Sequence, residues 1–148
     1  MKPFLVKTCA TILPLATLIA CGSDTTGITN DPIVGSYFAT EFVTTGSFGQ
    51  INQLVEGSTL NINLLNNHRT TGQLHLVATA ASPAFDGDMT GTWAHTGNTV
   101  TFSQDADTFI RDFDFTVTDP IGGTQLAADH TFAGVNIKLT LTRGAVID

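Results

Sequence analysis

Basic side chains are scarce in this chain: six Lys and Arg stand against thirteen Asp and Glu, for a formal net charge of -7. A nucleic-acid-binding surface needs clustered Lys and Arg to neutralise phosphates, so the composition argues against nucleic acid as a partner. Charged residues of both signs make up only 13% of the sequence, about half of the ~25% usual in globular domains, which leaves few surface ion pairs. Cysteine is limited to Cys9 and Cys21, so no disulfide framework is available. G-x-S-x-G, P-loop, dinucleotide and H-E-x-x-H signatures are all missing, and with them the sequence marks of common hydrolases, nucleotide binders and zinc enzymes. What the chain has instead is apolar content, 42% hydrophobic with ten Phe in 148 residues. That excludes a mainly disordered polypeptide and fits one domain with its own core.

The first residues read MKPFLVKTCATILPLATLIAC, with Lys2 and Lys7 ahead of an uncharged stretch over residues 8–20. As a helix that stretch would reach roughly 20 Å, short of the ~30 Å hydrocarbon core of a bilayer. Pro14 interrupts it too. An export signal therefore fits better than a membrane span. The run Leu18-Ile19-Ala20-Cys21 resembles the lipobox of bacterial lipoproteins. The resemblance implies cleavage after residue 20, attachment of diacylglycerol to Cys21, and a membrane anchor made by two or three acyl chains. Gly22, rather than Asp, follows the cysteine, which in such lipoproteins implies the periplasmic face of the outer membrane where two membranes exist. Removal of 1–20 would leave Cys21 as the one cysteine, and four basic residues (Arg69, Arg111, Lys138, Arg143) against thirteen acids, a net charge of about -9. Residues 21–32, small and polar up to Pro32, read as a flexible tether.

From residue 33 onwards the apolar residues alternate in short runs rich in β-branched and aromatic side chains, bounded by Gly, Asn, Asp and Pro. Eight strands are expected, over residues 34–44, 58–65, 70–78, 88–96, 99–104, 108–118, 125–132 and 135–143. Gly97-Asn98 marks a two-residue hairpin, residues 66–69 another turn, and residues 119–123 a third. Residues 49–57 read either as a lid-like loop or as one helical turn, and residues 79–87 as a loop. Connections this short make neighbours antiparallel, since a parallel crossover needs about a dozen residues or more. Eight such strands would leave two open edges unless the sheet closes. The expected fold is all-β: an eight-stranded antiparallel up-and-down barrel over residues 33–145, holding packed side chains or one small ligand. The rival is a two-sheet sandwich, whose Greek-key connections need longer crossings than most of these loops provide.

Gly35-Ser36-Tyr37 opening the first strand, with Leu141-Thr142-Arg143 ending the last, resembles the lipocalin and wider calycin group. There a Gly-x-Trp opens strand one, and an Arg from the last strand packs across the ring. The resemblance implies that Gly35, Tyr37 and Arg143 close one end of the barrel, with Tyr37 in place of the family's Trp. Beyond the family pattern, strand alternation puts Arg111 on the face of Phe109, Phe113 and Phe115, pointing inward. A buried cation needs a partner, so Arg111 is expected to meet Glu41 or another inward acid, or a ligand carboxylate. Phe38, Phe42, Phe113 and Trp93 are the candidate pocket lining, and equally candidates for plain core.

The four histidines (His68, His75, His95, His130) fall on separate segments, and the pairs Asp86/Asp88 and Asp105/Asp107 continue into no calcium loop. No metal, cofactor or catalytic residue is assigned. The expectation is a membrane-anchored, non-enzymatic barrel that binds a small hydrophobic or amphipathic molecule. The alternatives are a solid barrel whose loops contact a protein partner and, less favoured, a hydrolase built on two carboxylates across the barrel mouth.

Overall fold

The computed structural model describes residues 31–79, 83–119 and 123–144. The expected signal peptide, Cys21 and the tether as far as residue 30 lie outside the described residues. Among the described residues there are ten strands: β1 (Gly35–Gly46), β2 (Gly49–Asn52), β3 (Thr59–Leu64), β4 (Arg69–Leu76), β5 (Phe85–Asp88), β6 (Gly91–Thr96), β7 (Thr99–Gln104), β8 (Phe115–Thr118), β9 (Gln125–Phe132) and β10 (Val135–Arg143), with a 3-10 turn at Phe109–Asp112 between β7 and β8. Among the described residues no helix is long and apolar enough to cross a membrane.

Every pairing is antiparallel, and β10 zips back onto β1 with Tyr37 opposite Arg143, Phe42 opposite Leu139 and Thr45 opposite Asn136. The ring runs β1, β3, β4, β6, β7, β8, β9, β10, so the sheet closes over eight positions. The two remaining strands extend existing positions. β2 covers residues 43–46 of β1, beyond the stretch paired with β3. β5 covers residues 73–76 of β4, while β6 pairs at residues 69–70. Residues 49–57 are therefore a short strand followed by a turn, and part of the expected 79–87 loop is strand β5.

The hairpins follow turn chemistry. Gly97 takes φ +62 in the two-residue β6–β7 turn, and Ala133-Gly134 take φ +50 and +80 between β9 and β10, backbone regions that suit the right-handed twist of paired strands. Alternation then sends Leu60, Ile62 and Leu64 of β3 and Ile137, Leu139 and Leu141 of β10 into the core.

Two departures from simple alternation reset which residues face inward. In β1 the register against β10 shifts between Ala39 and Glu41. Thr40 is the extra residue of this β-bulge, and a bulge reverses the faces of everything after it. Tyr37 and Phe42 are both buried, while Phe38 is turned outward and 46% exposed. The second departure is at residues 109–112. A strand cannot bury two consecutive side chains on one face, but a helical turn can. Phe109 and Ile110 are both buried there, which leaves Arg111 and Asp112 outside. The expected strand over 108–118 is thus a turn and then the four-residue β8.

Candidate functional site

The two ends of the barrel differ. At one end the segment Asp31–Val34 folds across the opening. Ile33 is 2% exposed, and its carbonyl accepts a hydrogen bond from Tyr37 Oη at 2.6 Å. Asp31 Oδ1 accepts from the Ile33 backbone N–H at 3.0 Å, while Asp31 Oδ2 lies 2.8 Å from His95 Nδ1. Arg143 Nη1 donates to the Pro32 carbonyl at 2.5 Å. Asp31 and Pro32, read from composition as tether, are bonded into this end. Burial pushes the Tyr37 phenol up to about 12, against the opposing pull of the Arg143 charge. Gly35, Tyr37 and Arg143 lie together at this end: Tyr37 pairs with Arg143 across β1 and β10, and Arg143 binds the Pro32 carbonyl and packs on Gly35.

Trp93 closes the same end from β6. It is 3% exposed, its Nε1 donates to the Leu65 carbonyl at 3.1 Å, and the His68 ring lies against it at 4.9 Å. Toward the middle Phe113, 1% exposed, contacts the rings of Phe109, Phe115 and His130. Both are core side chains and line no part of the cavity described next.

At the other end lies a partly open cavity of about 320 Å³. β1 supplies Phe42 and Thr44, β10 supplies Val135 and Ile137, β4 supplies Leu76, and Phe109, Phe132, Ala133, Gln53 and Thr79 complete the wall. Ligand pockets commonly run from ~300 to ~1,000 Å³, mostly apolar with a few polar groups, so this one sits at the small end of that range. The polar groups are ordered. The Val77 backbone N–H donates to Ser58 Oγ at 3.1 Å, Ser58 Oγ donates to Gln53 Oε1 at 3.1 Å, and Gln53 Nε2 donates to Thr44 Oγ1 at 2.9 Å.

Of the expected pocket residues, Phe42 alone lines this cavity. Phe38 is outside because it alternates with the inward Tyr37, and the bulge at Thr40 is what lets Phe42 face in as well. Arg111 does not point inward: its Nη2 holds Asp107 at 2.8 Å and its Nε lies 3.9 Å from Asp112. Glu41, its expected partner, lies on the outer side of β1 and binds Lys138 Nζ at 2.7 Å and the Thr140 hydroxyl at 3.0 Å. Lys138 holds the Glu41 carboxyl below the usual carboxylate range. Thr44, Gln53, Leu76 and Ile137 were not singled out from the sequence. Leu76 and Ile137 show in the alternation as inward residues, but nothing in a linear pattern says at which level an inward residue stops being packed. Among the described residues no group of three His, Cys, Asp or Glu could hold a metal ion.

No family model, no curated protein and no solved structure matches this chain. Its class rests on geometry: a closed antiparallel barrel of eight positions with lipocalin-like topology, one end filled and the other carrying a cavity.

Proposed function

We propose that this chain is an exported, lipid-anchored barrel that carries a small apolar molecule at its open end and performs no catalysis. The observation behind it is the cavity of about 320 Å³ with its mainly apolar wall. Binding there is driven by burial of apolar ligand surface, at about 25 cal/mol per Å². Export and anchoring rest on the resemblance of Leu18-Ile19-Ala20-Cys21 to a lipobox and on the Lys2/Lys7 region ahead of it; the location they support is a bacterial cell envelope, on the periplasmic face of the outer membrane where there is one. Asp31, the first described residue, is bonded into the closed end, opposite the end that carries the cavity.

Titration of the purified chain with N-phenyl-1-naphthylamine tests the carrier reading. Saturable fluorescence enhancement, lost in Ile137→Trp, which fills the cavity, is the expected result. Absence of binding at millimolar probe favours a solid interaction module, a reading to which the exposed Phe48 (67%) and Val55 (78%) lend themselves. Mass spectrometry of the membrane fraction tests the anchor: a diacylglycerol adduct at Cys21 is expected, absent in Cys21→Ser.

A further inference from the structure

We infer that the cavity selects neutral, compact molecules bearing one hydrogen-bond acceptor, which the Thr44 hydroxyl reads, and that it rejects carboxylates. The inference rests on the carrier reading and adds the chemistry of the ligand.

Charge comes first. None of the cavity-lining residues is ionisable. Each of the four cations between residues 33 and 145 is placed elsewhere. Arg111 is held by Asp107, and Lys138 by Glu41 on the outer face. Arg143 binds the Pro32 carbonyl at the closed end. Arg69 opens β4 at that same end, opposite Thr92, and is exposed. An anionic head group entering the cavity would lose its water and find no Lys or Arg to pair with, in a chain of net negative charge.

The polar contact follows from the direction of the hydrogen-bond chain. It starts at a backbone N–H, which can only donate, and passes through Ser58 and the Gln53 carboxamide to Thr44 Oγ1. Each hydroxyl on the way accepts from one side and donates to the other. Thr44 is the last member: its oxygen already accepts from Gln53, and its proton is left to donate. Thr44 lines the cavity, so that proton suits a carbonyl, ether or hydroxyl oxygen of the ligand. Size sets the rest. The volume of about 320 Å³ equals that of about ten waters at ~30 Å³ each, which suits a compact molecule of two or three fused or linked rings.

The test is displacement of N-phenyl-1-naphthylamine from the full chain at pH 7.5 by three molecules of matched shape: 2-acetylnaphthalene, naphthalene and 2-naphthoate. The expected order puts the ketone about tenfold or more ahead of the carboxylate. Thr44→Val, with its barrel spectrum intact, should weaken the ketone by about fivefold and leave naphthalene unchanged. Equal competition by naphthoate and ketone overturns the charge rule. A Thr44→Val variant that weakens ketone and naphthalene alike overturns the role of the hydroxyl. Failure of the probe to bind at all overturns the carrier reading and this inference with it.

Discussion

Tyr37 Oη donates to the carbonyl of Ile33 at 2.6 Å, four residues earlier in the chain. That bond fastens the segment Asp31–Val34 over the barrel end while the Tyr37 ring is wholly buried. Tyr37 is the one tyrosine of the chain, so tyrosinate absorbance reads this phenol alone. Its midpoint should lie near pH 12 in the folded protein and near 10 in urea. The folded state prefers the neutral phenol, so this contribution to stability is complete below pH 10 and lost as pH rises from 10 through 12. The loss amounts to about 2–3 kcal/mol and should appear as a falling urea midpoint. Tyr37→Phe should remove the pH-dependent step and cost about 1–3 kcal/mol at pH 7, because the Ile33 carbonyl stays buried without its donor.

Gly35 and Arg143 are in tighter contact than any side chain at position 35 allows. A Cβ there would sit 2.8 Å from Arg143 Cδ and 3.3 Å from its Cγ, on a backbone with φ +154. Gly35→Ala should destabilise by about 1–3 kcal/mol. A double-mutant cycle with Arg143→Ala separates the two causes: the clash disappears in that background, and the backbone strain remains. A cost unchanged by Arg143→Ala assigns the whole effect to φ.

The closed ring was legible in the sequence because it rests on period-two alternation and turn residues. All eight expected strands occupy the eight ring positions, although that over 108–118 is cut down to β8. Position within the ring was far less legible. One extra residue at Thr40 lets Tyr37 and Phe42 both face inward, with Phe38 between them outside, and no local composition marks a bulge. Arg111 fell outside because burying Phe109 and Ile110 together outweighs continuing the strand. The Asp107/Arg111 spacing, four residues apart, was the signal for a helical turn there. The cavity itself depends on where packing stops, at Thr44, Leu76 and Ile137, and that is set by side chains from different strands meeting across the barrel.

Glu41 and Lys138 join β1 to β10 from outside at 2.7 Å. Hydrogen bonding to Lys138 lowers the Glu41 carboxyl, so the pair's contribution is present above the ordinary carboxylate value and is lost as pH falls through the lowered one. Both side chains are more than a third exposed, so Glu41→Gln should shift stability at pH 7 by less than about 1 kcal/mol, and less still in 1 M salt. Urea melts at two salt concentrations check this. A larger, salt-independent loss would mean that the Thr140 hydroxyl bond to Glu41, not the charge pair, holds the seam.

Thr70 is 1% exposed, and its hydroxyl has no hydrogen-bond partner among the described residues. Its backbone sits in the β4 ladder, opposite Leu64 on one side and Gly91 on the other. The side chain points into the core as its neighbours Leu74 and Leu64 do. An unpaired hydroxyl in that position costs about 1–3 kcal/mol of desolvation with nothing in return. Thr70→Val keeps the branched shape and the strand preference while removing the oxygen. It should raise the urea midpoint by the equivalent of about 1 kcal/mol with the denaturant slope unchanged. Thr70→Ser, which keeps the hydroxyl and deletes the methyl, should lower it. A destabilised valine variant would show that the hydroxyl is satisfied in solution, and that the polar atom belongs to the design of the closed end.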